Sequence, residues 1–280
     1  MTFYEGTFRR RPSASELIRA VRPSIIFYAL IAVAALGGWL AATAGDDRQS
    51  GRAIGGVILL VLAGWVISLC LHEFGHAVTA YIFGDRDAEL RGYLTLNPVK
   101  YTHPGLSLVL PIVIIFLGGI GFPGGAVYVN QQGFTKAQRT MVSLAGPAMN
   151  IIIAIVLLVS IRAFGPFTPT DYGVLVTDPS TINLWSGLVM LAFLQITAAV
   201  LNLIPMPGFD GYGAIEPYLS PQTRNSAAKI APYGFLIVFA LLFIPQLNSL
   251  FFDVIFWFFE LSGVPSTLAS WGWNTFLFWR

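Results

Sequence analysis

Charge is scarce in this 280-residue chain: only 11% of its residues are Asp, Glu, Lys or Arg, against roughly 25% in an ordinary soluble domain. With 55% hydrophobic residues, there is too little polar surface to solvate a globule, so the chain reads as an integral membrane protein. The net charge of +2 is too small and too local to form a basic footprint, so no nucleic-acid partner is expected. A single cysteine, Cys70, excludes an internal disulfide, and its apolar setting suits an inert packing residue. Only three histidines are present, and two of them stand four residues apart. No internal repeat and no soluble appendage are evident.

What is abundant is apolar runs. Ser24 to Ala44 is longer than the roughly 7–15 residues of a signal-peptide core and reads as a retained first span. Arg9, Arg10, Arg11, Arg19 and Arg22 precede it, which places the N-terminus in the cytoplasm by the positive-inside rule. Span two, from Ala53 to about Phe83, then returns to that side, and Met141 to Phe164 and Thr181 to Ile204 follow. Pro245 divides the last apolar stretch, so Ile230 to Ile244 and Leu247 to Leu261 can form one kinked span, two spans, or a span and an interfacial helix. Gly105 to Gly121 is short and contains Pro111; a full crossing would put Lys136 and Arg139 outside, whereas a re-entrant segment keeps them inside, and charge bias favours the second.

The expected fold is an α-helical polytopic bundle of about five to six spans with a re-entrant segment and a small β element near the active site. The β element is assigned to Tyr93 to Pro98, which alternates apolar and polar residues and closes on Asn97-Pro98. Its open edge could hold an extended peptide. Residues 1–23 form a cytoplasmic extension, 24–262 the membrane-embedded domain with its core at about 54–234, and 263–280 an aromatic interfacial tail containing Trp271, Trp273, Phe276, Phe278 and Trp279.

Ionisable groups at membrane depth are expensive and mark function by default. His72-Glu73-Phe74-Gly75-His76 places three of them within five residues of the second span. Four helical residues rotate by about 40°, so His72 and His76 can present imidazoles to one metal ion with Glu73 beside them. Two imidazoles suit zinc, and the adjacent carboxylate can take a proton from water that the ion has acidified. A third candidate is Asp210, which lies 134 residues beyond His76 on an irregular turn created by Pro205, Pro207 and Gly208. The inferred topology brings it to the same leaflet.

H-E-x-x-H at His72 to His76, joined to N-x-x-P-x-P-x-x-D-G at Asn202 to Gly211, resembles the site-2 protease family of intramembrane zinc metalloproteases. That resemblance implies one zinc per chain held by His72, His76 and Asp210, Glu73 as catalytic base, and Asn202 at the oxyanion or the substrate. It extends through Gly92 to Pro98, Val127 to Asn130, and Ala145-Gly146-Pro147-Ala148-Met149-Asn150. Tyr101 and His103 depart from the histidine and aspartate of many relatives, and no PDZ-like or CBS-like segment is evident. For Gly146 and Asn150, close helix packing and an interhelical hydrogen bond are the simpler expectation. The implied function is cleavage of a transmembrane protein substrate within or near the lipid bilayer of the cell membrane, in regulated intramembrane proteolysis, with the active site toward the cytoplasm. The competing class is a non-catalytic metal-binding scaffold, pseudoprotease or transporter. Substrate identity and oligomeric state stay open at this level.

Overall fold

The computed structural model describes residues 10–101, 129–170 and 173–279. After a short α1 (Ala14–Ala20), four helices are long and apolar enough to cross a membrane: α2 (Ile25–Ala42), α3 (Gly51–Ile82), α6 (Lys136–Phe164) and α7 (Ile182–Asn202, preceded by a turn from Pro179). Side-chain caps set several of their starts. Ser24 and Ser50 accept from the backbone amides of Phe27 and Ala53, and Thr135 with Gln138 forms a capping box. Each satisfies an amide that neither lipid nor the helix itself could satisfy.

Between α3 and α6 the described chain contains α4 (Asp87–Leu90), a 3₁₀ turn (Tyr93–Thr95) and α5 (Pro98–Tyr101). The strand expected at Tyr93 to Pro98 is not there. Gly92 and Leu96 have φ values of 77° and 53°, which break an extended run at both ends. The Thr95 hydroxyl donates to the Gly92 carbonyl at 2.6 Å and closes the turn. Leu94 and Leu96 are buried instead of edge-exposed, and the Ser24 amide donates to the Thr95 carbonyl at 2.8 Å. The alternation of apolar and polar residues thus belongs to a covered turn, whose Tyr93, Leu94 and Leu96 join the core cluster that also holds Ala20 of α1.

The β element of the described chain is an antiparallel pair, β1 (Phe167–Thr170) and β2 (Gly173–Val176), in register Phe167 to Val176. It caps the C-terminal end of α6, at least ~21 Å along that helix from Asn150 by helical rise. The proposed re-entrant segment at Gly105 to Gly121 lies outside the described residues.

Beyond α7 come α8 (Asp210–Ile215), α9 (Pro221–Ile230), α10 (Gly234–Leu241), α11 (Pro245–Ser262) and α12 (Thr267–Phe276). The α9–α10 segment and α11 meet at 93°, so the described residues contain four membrane-length helices, or five if that bent pair is one span. Pro245 begins α11 where its missing amide matters least. The aromatic tail is more than a belt: α12 packs on α7, and Leu268 and Phe276 are fully buried, whereas Phe278 and Trp279 remain exposed. The core forms where α3 is enclosed by α2, α6 and α7.

Candidate metal centre

His72, Glu73 and His76 lie in the later half of α3, all buried. The motif helix meets α6 at small residues on both sides. A Cβ on Gly75 would stand 2.7 Å from the Ala145 carbonyl oxygen, and one on Gly146 would stand 2.6 Å from Nε2 of His72 and collide with Nε2 of His76. Gly146 therefore leaves open the space into which both imidazoles point.

Each imidazole is oriented from its far side. His72 Nδ1 is 2.8 Å from the Asn150 side-chain oxygen, and His76 Nδ1 is 2.7 Å from the Val142 carbonyl. A carbonyl can only accept, so His76 carries its proton on Nδ1 and turns the Nε2 lone pair inward. The same tautomer of His72 follows when Asn150 accepts. Pro147 lies within α6 and has no amide for the Ser143 carbonyl one residue past Val142, which loosens the helical ladder at this crossing.

The third group arrives on a turn built to bring it there. α7 stops at Asn202 because Pro205 and Pro207 cannot continue it. The Phe209 amide bonds the Met206 carbonyl at 3.0 Å, and Gly208 takes φ 102°, open to glycine at little strain. Gly211 then lies against the Leu203 carbonyl, where a side chain would collide. On its other side α8 is clamped to α6 by the Thr140 hydroxyl, which donates to the Ala214 carbonyl at 2.7 Å. Asp210, the first residue of α8, is left facing the histidine pair.

His72 Nε2 lies 3.2 Å from Asp210 Oδ2, His76 Nε2 lies 3.3 Å from Asp210 Oδ1, and the two Nε2 atoms are 3.2 Å apart. Tetrahedral bonds of about 2.0–2.1 Å to one zinc ion require ligand separations of ~3.3–3.4 Å. With the protons on Nδ1, lone pairs of three acceptors converge, and Asp210 Oδ2 is buried with no hydrogen-bond partner. A cation resolves that repulsion, so the donor set fits zinc. Among the described residues, these three are the group of this kind that could hold a metal ion.

Glu73 is 3% exposed and within electrostatic range of His76. Asn202 is half-buried at the end of α7. The residues that sequence reasoning undervalued are Asn150 and Gly146, whose four-residue spacing puts them on one face of α6 toward α3. Tyr101 is buried and donates its hydroxyl to the Tyr93 carbonyl at 2.8 Å, while His103 lies outside the described residues.

Comparison with known proteins matches the chain to zinc metalloproteases. The model of peptidase family M50 matches residues 60–245. A Mycolicibacterium smegmatis protein named "Putative zinc metalloprotease Rip2" is 54% identical over 263 residues, covering 94% of this chain and 96% of its own length. The Mycobacterium tuberculosis H37Rv protein of the same name is 49% identical over 260 residues, covering 93% and 95%. The similarly named Bacillus subtilis YwhC is 34% identical over 189 residues, covering 66% and 80%. No solved structure matches the chain. Membrane-length helices, a zinc-compatible cluster on two of their neighbouring segments, and the match over residues 60–245 place the chain in peptidase family M50, the site-2 protease family of intramembrane zinc metalloproteases.

Proposed function

We propose that His72, His76 and Asp210 hold one zinc ion per chain and that Glu73 is the general base and acid of peptide-bond hydrolysis. The observation that carries this reading is the convergence of two imidazole nitrogens, 3.2 Å apart, on one carboxylate 134 residues beyond His76, each nitrogen 3.2 to 3.3 Å from a different one of its oxygens. Bound zinc would supply Lewis acidity and lower the pKa of water to about 7. Glu73 would take the proton of the attacking water and return it to the leaving amine. Asn202 has an amide that can donate to the carbonyl oxygen as negative charge develops there. Asn150 and the Val142 carbonyl hold the two imidazoles in their ligating tautomer, so little reorganisation accompanies the reaction.

The substrate in this reading is a transmembrane protein, cut within or close to its membrane segment. The site is embedded: His76 lies six residues, about 9 Å of helix, before the end of α3 at Ile82. The amides of an intact helix are shielded, so the substrate must unwind locally before attack. The arginines at 10, 11, 19 and 22 near α1 support a cytoplasmic N-terminus and hence a site in the cytoplasmic half of the cell membrane. That placement suits regulated intramembrane proteolysis.

The test is a paired measurement on purified protein. Wild type should contain about one zinc per chain and cleave a reconstituted membrane substrate. Glu73→Gln should keep the zinc and lose cleavage. Cleavage surviving Glu73→Gln sinks the proposed role of Glu73; a chain with no zinc sinks the ligand assignment.

A further inference from the structure

A second site lies at the opposite end of the bundle from the metal centre, and its lining divides into a cationic, polar mouth and an apolar groove. The mouth is a cavity of about 580 Å³ lined by Arg48, Gln49, Ile54, Leu277, Trp273 and Asn274. The groove, of about 380 Å³, shares Trp273 and Asn274 with it and is walled by Met190, Phe193, Phe252 and Phe256. Arg48 lies on the loop joining membrane-length helices α2 and α3, which places it at a membrane surface. Its guanidinium stacks over Trp271 at 4.7 Å, and Arg48 makes no ion pair among the described residues.

Depth matches the chemistry. Asn183 donates to the Gly45 carbonyl at 2.9 Å, which levels the first turn of α7 with the Arg48 loop. Phe193 lies ten residues farther along α7, about 15 Å by helical rise and about half of a ~30 Å hydrocarbon core. The two cavities, adjoining at Trp273 and Asn274, thus span from the membrane surface to the depth of one leaflet, cation first and aromatic wall below. We propose that this is a binding site for one anionic phospholipid, its phosphate on Arg48 and Gln49 and an acyl chain in the groove between α7, α11 and α12. A free anion has no use for the aromatic groove, and an uncharged lipid makes no use of Arg48.

The test uses full-length protein reconstituted in nanodiscs of mixed phosphatidylglycerol and phosphatidylcholine, then released from lipid for native mass spectrometry. Wild type should retain phosphatidylglycerol in preference to phosphatidylcholine. Arg48→Gln should reduce that retention about fivefold, the effect of one basic residue at an anionic surface. Ser270→Phe, which fills the groove from an exposed position on α12, should reduce it as well, whereas Arg22→Gln at the other membrane face should not. A phosphatidylglycerol with a photoreactive acyl chain should label wild-type peptides containing Phe193 and Phe252 to Phe256, a readout independent of any variant's folding. Equal retention by Arg48→Gln, equal retention of phosphatidylcholine, or labelling spread evenly over the lipid-facing helices overturns the proposal. Displacement of the lipid by inorganic phosphate with no effect of Ser270→Phe identifies a free-anion site and overturns it too.

Discussion

Asn150 and His72 meet across the crossing of α6 and α3, the amide oxygen 2.8 Å from the imidazole Nδ1. That contact aims the other nitrogen at Asp210. Asn150→Ala should lower zinc affinity or activity about 10- to 100-fold, the usual effect of removing a hydrogen-bond partner of a ligating histidine. Asn150→Asp, which still accepts, should recover most of the loss. Chelator competition followed by zinc quantification measures both, and equal affinity in wild type and Asn150→Ala would remove Asn150 from the site.

Gly146→Ala separates packing from ligation. The added methyl would overlap His76 Nε2 and stand 2.6 Å from His72 Nε2, so zinc content should collapse. Gly75→Ala instead meets the Ala145 carbonyl at 2.7 Å and the Met149 side chain at 2.9 Å, pushing the helices apart. Its main expected effect is an overpacking cost of roughly 1–3 kcal/mol with zinc partly retained. Thermal unfolding and zinc content, taken together on both variants, give the comparison; similar zinc in the two would contradict it.

The turn before α8 should control the third ligand without touching the first two. Gly208 combines φ 102° with a close approach to the Ala231 carbonyl, whose oxygen would stand 2.9 Å from an added methyl. Gly208→Ala should therefore strain the turn by about 1–3 kcal/mol. Relief of that strain moves Asp210, and zinc affinity should fall about tenfold or more while helical circular dichroism is unchanged. Unaltered affinity would mean that Asp210 is positioned by α6 alone.

At the cytoplasmic side of this reading, α1 depends on a carboxylate. Backbone and hydroxyl hydrogen bonds from Ser13, with Arg10 and Arg86 nearby, hold the Glu16 carboxyl below its ordinary value of 4.5. The folded-state value is depressed, so this contribution is present above pH 4.5 and lost as pH falls through the folded value. Hydrogen exchange at α1 and at Thr95, corrected for intrinsic rates, should accelerate below that point. Glu16→Gln should show the faster exchange already at neutral pH and little further change on acidification.

Local chemistry was legible where it depended on neighbouring residues. Helical spacing placed His72 and His76 on one face, and Pro205 with Pro207 announced a break in the later helix. Tyr93 to Pro98 misled because alternation describes side chains on a strand and also a buried turn; Gly92 and Leu96 at positive φ, with Leu94 and Leu96 buried in the core, decided between the two. Asn150 carried a signal in its spacing from Gly146, but an asparagine four residues after a glycine serves equally well as an ordinary interhelical bond.

The amino-acid sequence by itself determined that this chain enters the bilayer and which residue types could hold zinc, because apolar run length and ligand spacing are properties of a local segment. Tertiary structure decided that Asp210 faces the histidines, that Asn150 and Val142 set their tautomers, and that Gly146 leaves the space between them. Those are contacts between helices far apart in the chain, and only their packing brings the donor atoms to the separation a single ion requires.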